Sequence, residues 1–154
     1  SATGLFWINT TMLIAFFIFG YILPKITKLG LESMKLMKLG LPISYLSLLV
    51  IIISGENAGA LHFTVYILTS IVLTLTQPAV ALSFPTSLAG KSLTSFNLLI
   101  FVGTFIMQWG IGLIIDLSQF LGKEEIQSFQ ISFSAYLLIC IFSYLYFLLN
   151  NRNE

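Results

Sequence analysis

The sequence predicts an all-α, polytopic membrane protein with five transmembrane helices. Hydrophobic residues make up 57% of the 154 residues and charged residues only 8%, whereas about a quarter of an ordinary soluble protein is charged. The apolar residues also fall into five runs of nearly span length, separated by short polar stretches. We therefore expect one membrane domain over residues 1–154, with spans at about 5–23, 39–54, 60–84, 93–116 and 131–149.

The first two spans differ in polarity. The first carries Trp7 near one end, as interfacial aromatic residues do, and Pro24 is expected to end its helix because proline lacks the amide hydrogen. Asn9 in this span either contributes a polar group to a cavity or is simply hydrated near the span end. The second span is almost wholly aliphatic, so we expect it to face lipid.

The third span carries polar residues along one face and an internal proline. Tyr66, Ser70 and Gln77 are spaced by four and seven residues, which places them on one side of a helix. Pro78 removes one backbone hydrogen bond and is expected to kink the helix, either as part of a gate or as a purely structural bend.

The fourth span combines a polar stripe with small residues. Its charge-free run, 93–115, is long enough to cross about 30 Å of hydrocarbon. The stripe consists of Asn97, Phe101, Thr104 and Gln108. Glycines elsewhere on the helix would let a neighbouring helix approach closely, namely Gly103, Gly110 and Gly112. This combination is typical of a helix that lines a transport pathway, although the amides could instead only hold helices together. We expect this stripe and the polar face of the third span, with Tyr66, Ser70 and Gln77, to form one solute-facing surface.

The distribution of basic residues predicts the orientation of the chain. If spans alternate in direction, one side holds Lys25, Lys28, Lys35, Lys38, Lys91 and Arg152, and the other holds only Lys123. Because basic loops stay in the cytoplasm, the C-terminus is expected inside and the N-terminus outside, in the cell (inner) membrane. The fifth span is apolar and aromatic.

The composition argues against an enzyme, a metal site or a resident cofactor. His62 is the only histidine and Cys140 the only cysteine, so an ordinary zinc site cannot be assembled. His62 is expected at the membrane interface, or else as a protonation switch. No acidic residue lies in the interior of a span, since Asp116 stands at the end of the fourth, and a net charge of +1 gives no reason to expect nucleic acid as a partner.

Two segments resemble the major facilitator superfamily of transporters. Gly20, Lys25, Lys28 and Gly30 resemble the junction between the family's helices 8 and 9, although Pro24 stands where the family has an acidic residue. Residues 84–91, ending at Lys91, and the following polar and glycine positions resemble its helix 10 to helix 11 region.

The resemblance implies that the chain is the C-terminal portion, or a fragment, of a twelve-helix carrier and corresponds to its last five helices. It implies secondary transport of a small solute by alternating access, with or without a coupling ion, and the lipid bilayer and the carrier's N-terminal helices as partners. The alternative is a non-transporting membrane scaffold or assembly subunit, whose polar stripes bind neighbouring helices.

Overall fold

The computed structural model describes residues 2–28 and 33–150, and within those residues it contains helices, short connections and no strand. The helices are α1 (Ala2–Lys28), α2 (Ser33–Ser54), α3 (Ala60–Ser70), α4 (Thr76–Leu82), α5 (Thr86–Phe120) and α6 (Glu125–Asn150). Short 3₁₀ segments occupy Gly55–Asn57 and Ile71–Leu75. Five stretches are long and apolar enough to cross a membrane, so the predicted all-α fold with five candidate spans is confirmed.

The helices extend beyond the apolar runs that predicted them. Pro24 lies inside α1, which continues to Lys28, so the prediction that this proline ends the helix is wrong. Likewise, α5 begins at Thr86, seven residues before the predicted start of the fourth span at about residue 93. Pro24 can lie inside α1 because membrane helices tolerate proline when the freed carbonyl finds another donor or water. Helix α5 can begin before its apolar run because a hydropathy pattern marks the boundary of the lipid and not the end of a helix.

A glycine ends α5 and sets the turn into α6. Gly122 has a φ of 79°, in the left-handed region that favours glycine. Its amide donates to the carbonyl of Gln119 at 2.9 Å, and the amide of Lys123 donates to that of Ser118 at 3.0 Å. These two bonds form a Schellman motif, which satisfies carbonyls that the end of the helix leaves open.

Helix α2 is the centre of the bundle. It packs against α3 and α6, and one of its faces is buried from end to end, consisting of Met37, Leu41, Ser44, Leu48 and Ile51. Met37 and Leu41 form a core with Leu75, to which α1 adds Phe19 and Leu23. The expectation that the second span faces lipid is therefore wrong for this face, while Leu46 and Ile53 on the opposite face are exposed.

Gly40 of α2 lies in close contact with the side chain of Val72. A Cβ atom added there would lie 2.6 Å from Cγ1 of Val72, in the 3₁₀ segment before α4. At that distance the Val72 side chain or the helix backbone would have to move. Valine is stiff about its first side-chain torsion, so its side chain cannot easily turn away. Gly40 is therefore a packing glycine, although the sequence did not single it out.

The third span is interrupted rather than continuous. The α-helical pattern of α3 changes to a 3₁₀ segment at Ile71–Leu75 and resumes in α4, where Pro78 is the third residue. Pro78 cannot donate to the carbonyl of Thr74, which lies four residues earlier, so the proline removes one bond of a regular α-helical ladder at this place. The irregular turn thus lies directly before the proline that was predicted to disturb the helix.

Two side chains of α6 fasten it to opposite ends of α2. The Tyr144 hydroxyl donates to the carbonyl of Lys38 at 2.6 Å. That carbonyl is the one that Pro42, inside α2, cannot use, because proline has no amide hydrogen. At the other end, Nε2 of Gln130 donates to the carbonyl of Ile52 at 2.7 Å, within the last turn of α2.

Candidate functional site

The polar stripe predicted on the fourth span lies on the exposed surface of α5. Asn97, Thr104 and Gln108 are all exposed, and 74% of Phe101 is exposed. Within the described residues, the three polar side chains have no hydrogen-bond partner, whereas Thr94 on the same helix donates back to the carbonyl of Gly90 at 3.0 Å. The stripe therefore presents free donors and acceptors to whatever lies beside α5.

Part of this stripe borders an open groove between α5 and α6. Thr104 and Gln108 line it from α5, and Tyr136 lines it from α6. The groove has a volume of about 390 Å³, and its remaining lining is Ile100, Gly103, Met107 and Ile111. Asn97 and Phe101 do not line this groove; Asn97 lies about 17 Å from Gln108 along the helix axis.

Tyr136 joins the groove to the predicted polar face of α3. The side chain of Tyr136 lies near the side chains of Tyr66 on α3 and of Cys140 on α6. Tyr66 and Gln108 were predicted on separate helices as parts of one surface, and Tyr136 is the residue that both parts approach. No pattern in the sequence singles out Tyr136, because one tyrosine among the many aromatic residues of α6 carries no distinguishing signal.

The other polar residues predicted on the third span do not gather at Tyr136. Ser70 is half-buried, and its hydroxyl oxygen is enclosed with no hydrogen-bond partner among the described residues. Gln77 is exposed and lies on α4, beyond the 3₁₀ segment. The spacing placed the three residues on one face of an ideal helix, but the 3₁₀ segment between Ser70 and Gln77 changes the turn angle and breaks that alignment.

Asn9 lies on the exposed surface of α1. Its amide nitrogen donates to the carbonyl of Leu5, one turn earlier on the same helix, at 2.8 Å. The side chain thus satisfies its donor locally.

The three glycines predicted to pack against a neighbouring helix do not do so within the described residues. A Cβ atom added at Gly103, Gly110 or Gly112 would meet no atom within 4 Å. The buried small residues near the α5–α6 connection are serines instead, namely Ser118, Ser128 and Ser132. Packing of a helix outside the described residues against these glycines stays a prediction, and Gly103 lines the groove beside Thr104.

The residues predicted in a cytoplasmic loop are largely helical. Gly20 and Lys25 lie within α1, and the Lys25 ammonium sits 4.0 Å from the centre of the Tyr21 ring. Lys28 is the last residue of α1, and Gly30 lies outside the described residues. Lys91 is exposed in the second turn of α5.

His62 has a local structural role at the start of α3. Its Nδ1 atom accepts a hydrogen bond from the amide of Gly59 at 3.2 Å, which satisfies a donor just before the helix begins. In the described part of the chain, no group of three or more His, Cys, Asp or Glu residues is placed to hold a metal ion.

The fold and its exposed surfaces define a class: an all-α, multi-pass membrane protein whose environment is a lipid bilayer. Comparison with protein-family models, with curated proteins and with solved structures finds no match to this chain.

Proposed function

We propose that this chain is part of a secondary carrier of the major facilitator type and that it moves a small polar solute across the membrane by alternating access. The observation that carries the proposal is the stripe on α5. Its exposed groups, Asn97, Thr104 and Gln108, have no partner in the described residues although they lie in an apolar span. Unpaired polar groups are costly in lipid, so such a stripe is expected to face water, solute or other polar groups.

The groove beside Tyr136 is the proposed place of solute contact. Gln108 offers an amide, Thr104 a hydroxyl and Tyr136 a phenol, and all three are uncharged near neutral pH. Tyr66, beside Tyr136, would contribute shape and stacking, and Phe101 would do so outside the groove, where the stripe continues toward Asn97. Because no charged side chain lines this groove, a neutral or zwitterionic solute suits it best.

The remaining helices of the carrier would complete the pathway. Both α1 and α5 present long apolar faces, which include Phe17 on α1 and Leu98, Phe105 and Trp109 on α5. In the proposed carrier, N-terminal helices cover part of these faces and lipid covers the rest. The distribution of basic residues favours a cytoplasmic C-terminus and an N-terminus outside for this chain.

Cysteine accessibility in native membranes tests the proposal. With Cys140 replaced by alanine, single cysteines are introduced at positions 97, 104 and 108, and labelling by a membrane-impermeant thiol reagent is measured with and without candidate solutes. We expect all three to be labelled and a transported solute to protect at least positions 104 and 108. The matched control is Phe105→Cys, whose side chain is exposed next to Thr104 on an apolar side of α5 and should stay unlabelled.

Lack of labelling at all three positions, with labelling retained at the loop position 123, would contradict the proposal. The polar stripe would then contact other helices, and the alternative function, a membrane scaffold or assembly subunit, would be favoured.

A further inference from the structure

We propose that the groove between α4 and α5 at the Lys91 end of the bundle binds one anionic phospholipid of the surrounding leaflet. The groove has a volume of about 410 Å³ and is open to the surface. Its lining combines one cation, Lys91, with two serines and an apolar wall, the other members being Val80, Phe84, Leu88, Ser92, Ser95, Phe96 and Leu99. This proposal does not depend on the proposed solute pathway.

The position of Lys91 suits a lipid phosphate. Between Lys91 and Asp116, α5 carries no charge, and that run is about 36 Å long, so the two residues lie near the opposite boundaries of the hydrocarbon. The Lys91 ammonium is exposed at one boundary, where lipid phosphates lie. Ser95 is exposed one turn deeper in the span and adds a hydroxyl within the groove.

The rest of the groove suits an acyl chain. From Lys91, the lining continues for about 12 Å along α5 to Leu99, which lies deeper in the span. Val80 of α4 and Phe84 of the α4–α5 connection also line the groove. A polar head at the boundary and an apolar tail toward the bilayer centre are the two parts of a phospholipid, and the groove presents a matching surface to each.

Charge complementarity selects an anionic headgroup. The described acidic residues, Glu56, Asp116, Glu124 and Glu125, all lie in the connections α2–α3 and α5–α6 or beside them. Since consecutive spans run in opposite directions, these carboxylates are at the far end of the bundle from Lys91. Nothing acidic among the described residues of the Lys91 end therefore competes with a phosphate for the ammonium.

Lipid titration of the purified protein in detergent tests the proposal. The thermal unfolding midpoint is followed while phosphatidylglycerol is added, and phosphatidylcholine with the same acyl chains is the reference. We expect phosphatidylglycerol to raise the midpoint with saturation and phosphatidylcholine to do so only at higher concentration. Lys91→Gln should raise the half-saturating phosphatidylglycerol concentration about fivefold, and Lys91→Arg should preserve it.

Two pairs of variants separate a groove site from general attraction to a charged surface. Lys35→Gln removes an exposed lysine from α2 at the same end of the bundle and should change the half-saturating concentration less than about twofold. Ser95→Phe fills the groove and should weaken binding, whereas Thr94→Phe, at the exposed neighbouring position outside the groove, should not. Equal effects of Lys91→Gln and Lys35→Gln, or equal titrations with the two lipids, would overturn the proposal.

Discussion

Helices α2 and α5 are similar in sequence character and opposite in structural role. Both are apolar spans with a few uncharged polar residues. Along α2, polar groups are satisfied inside the chain: Ser44 is buried and donates to the carbonyl of Leu41 at 2.8 Å, and side chains of α6 bind two backbone carbonyls. Along α5, Ser118 is the buried residue, and the amides of Asn97 and Gln108 are exposed.

The contrast shows why hydropathy does not predict the centre of a membrane bundle. Lipid tails are as apolar as leucine, so an aliphatic face gains little from choosing protein over lipid. Close packing and satisfied polar groups determine instead which helix lies at the centre of the bundle. Helix α2 has close packing at Gly40 and a satisfied backbone carbonyl at Lys38, which accepts from the Tyr144 hydroxyl. Helix α5 has neither feature along its polar stripe.

The largest effect on stability is expected when Gly40 is enlarged, which tests the close packing of α2. Gly40→Leu should lower the free energy of unfolding in mixed micelles by about 3 kcal/mol, because the new side chain collides with Val72. The matched control, Gly103→Leu on α5, meets open space and should change stability by less than about 0.5 kcal/mol. Similar losses in both variants would show that α2 and α5 are packed alike.

The second-largest loss of stability is expected when the hydrogen bond from the Tyr144 hydroxyl to the Lys38 carbonyl is removed. Tyr144→Phe should lower the free energy of unfolding by about 2 kcal/mol, since it removes the hydroxyl that donates to the Lys38 carbonyl in α2. Tyr146→Phe is the control, because that side chain is 71% exposed.

A double-mutant cycle with Pro42 tests the stated reason for this effect. Pro42→Ala restores an amide that can bond the Lys38 carbonyl within α2, so Tyr144→Phe should cost less in that background, by about 1 kcal/mol. An unchanged cost would mean that Pro42 does not create the need for the tyrosine.

Loss of the hydrogen bond from Gln130 to the Ile52 carbonyl should reduce stability somewhat less. Gln130→Leu should lower the free energy of unfolding by about 1 kcal/mol, because the Ile52 carbonyl lies in the last turn of α2 and can be reached by water in its place. Gln127→Leu, at an exposed position of the same helix, is the control and should be nearly neutral in the same unfolding measurement.

The smallest effect on stability is expected on α5. Gln108→Leu and Thr104→Val should each change the free energy of unfolding by less than about 0.5 kcal/mol, because neither side chain has a partner in the described residues. In the proposed carrier, however, uptake of the solute into vesicles should fall about tenfold in each variant, as a lost hydrogen bond of about 1.4 kcal/mol would produce. Unimpaired uptake by both variants would remove these residues from the pathway.

The candidate site was predictable in part. The stripe from Asn97 to Gln108 could be located from spacing because α5 is one uninterrupted helix, and its role in a solute pathway stays a prediction. The face from Tyr66 to Gln77 was predicted in the same way and is divided, since a 3₁₀ segment intervenes. Tyr136 was missed because its importance comes from its neighbours on α3 and α5, which no pattern within α6 reveals.

By itself the sequence determined that this protein is an all-α chain with five helices able to cross a membrane. The physical reason is local: a long apolar segment in lipid must satisfy its backbone hydrogen bonds within itself, which a helix does. The tertiary structure decided which helix is central, which glycine is packed and which polar groups are paired. Those outcomes depend on distances between residues far apart in sequence, such as Lys38 and Tyr144, and no periodicity within one helix contains them.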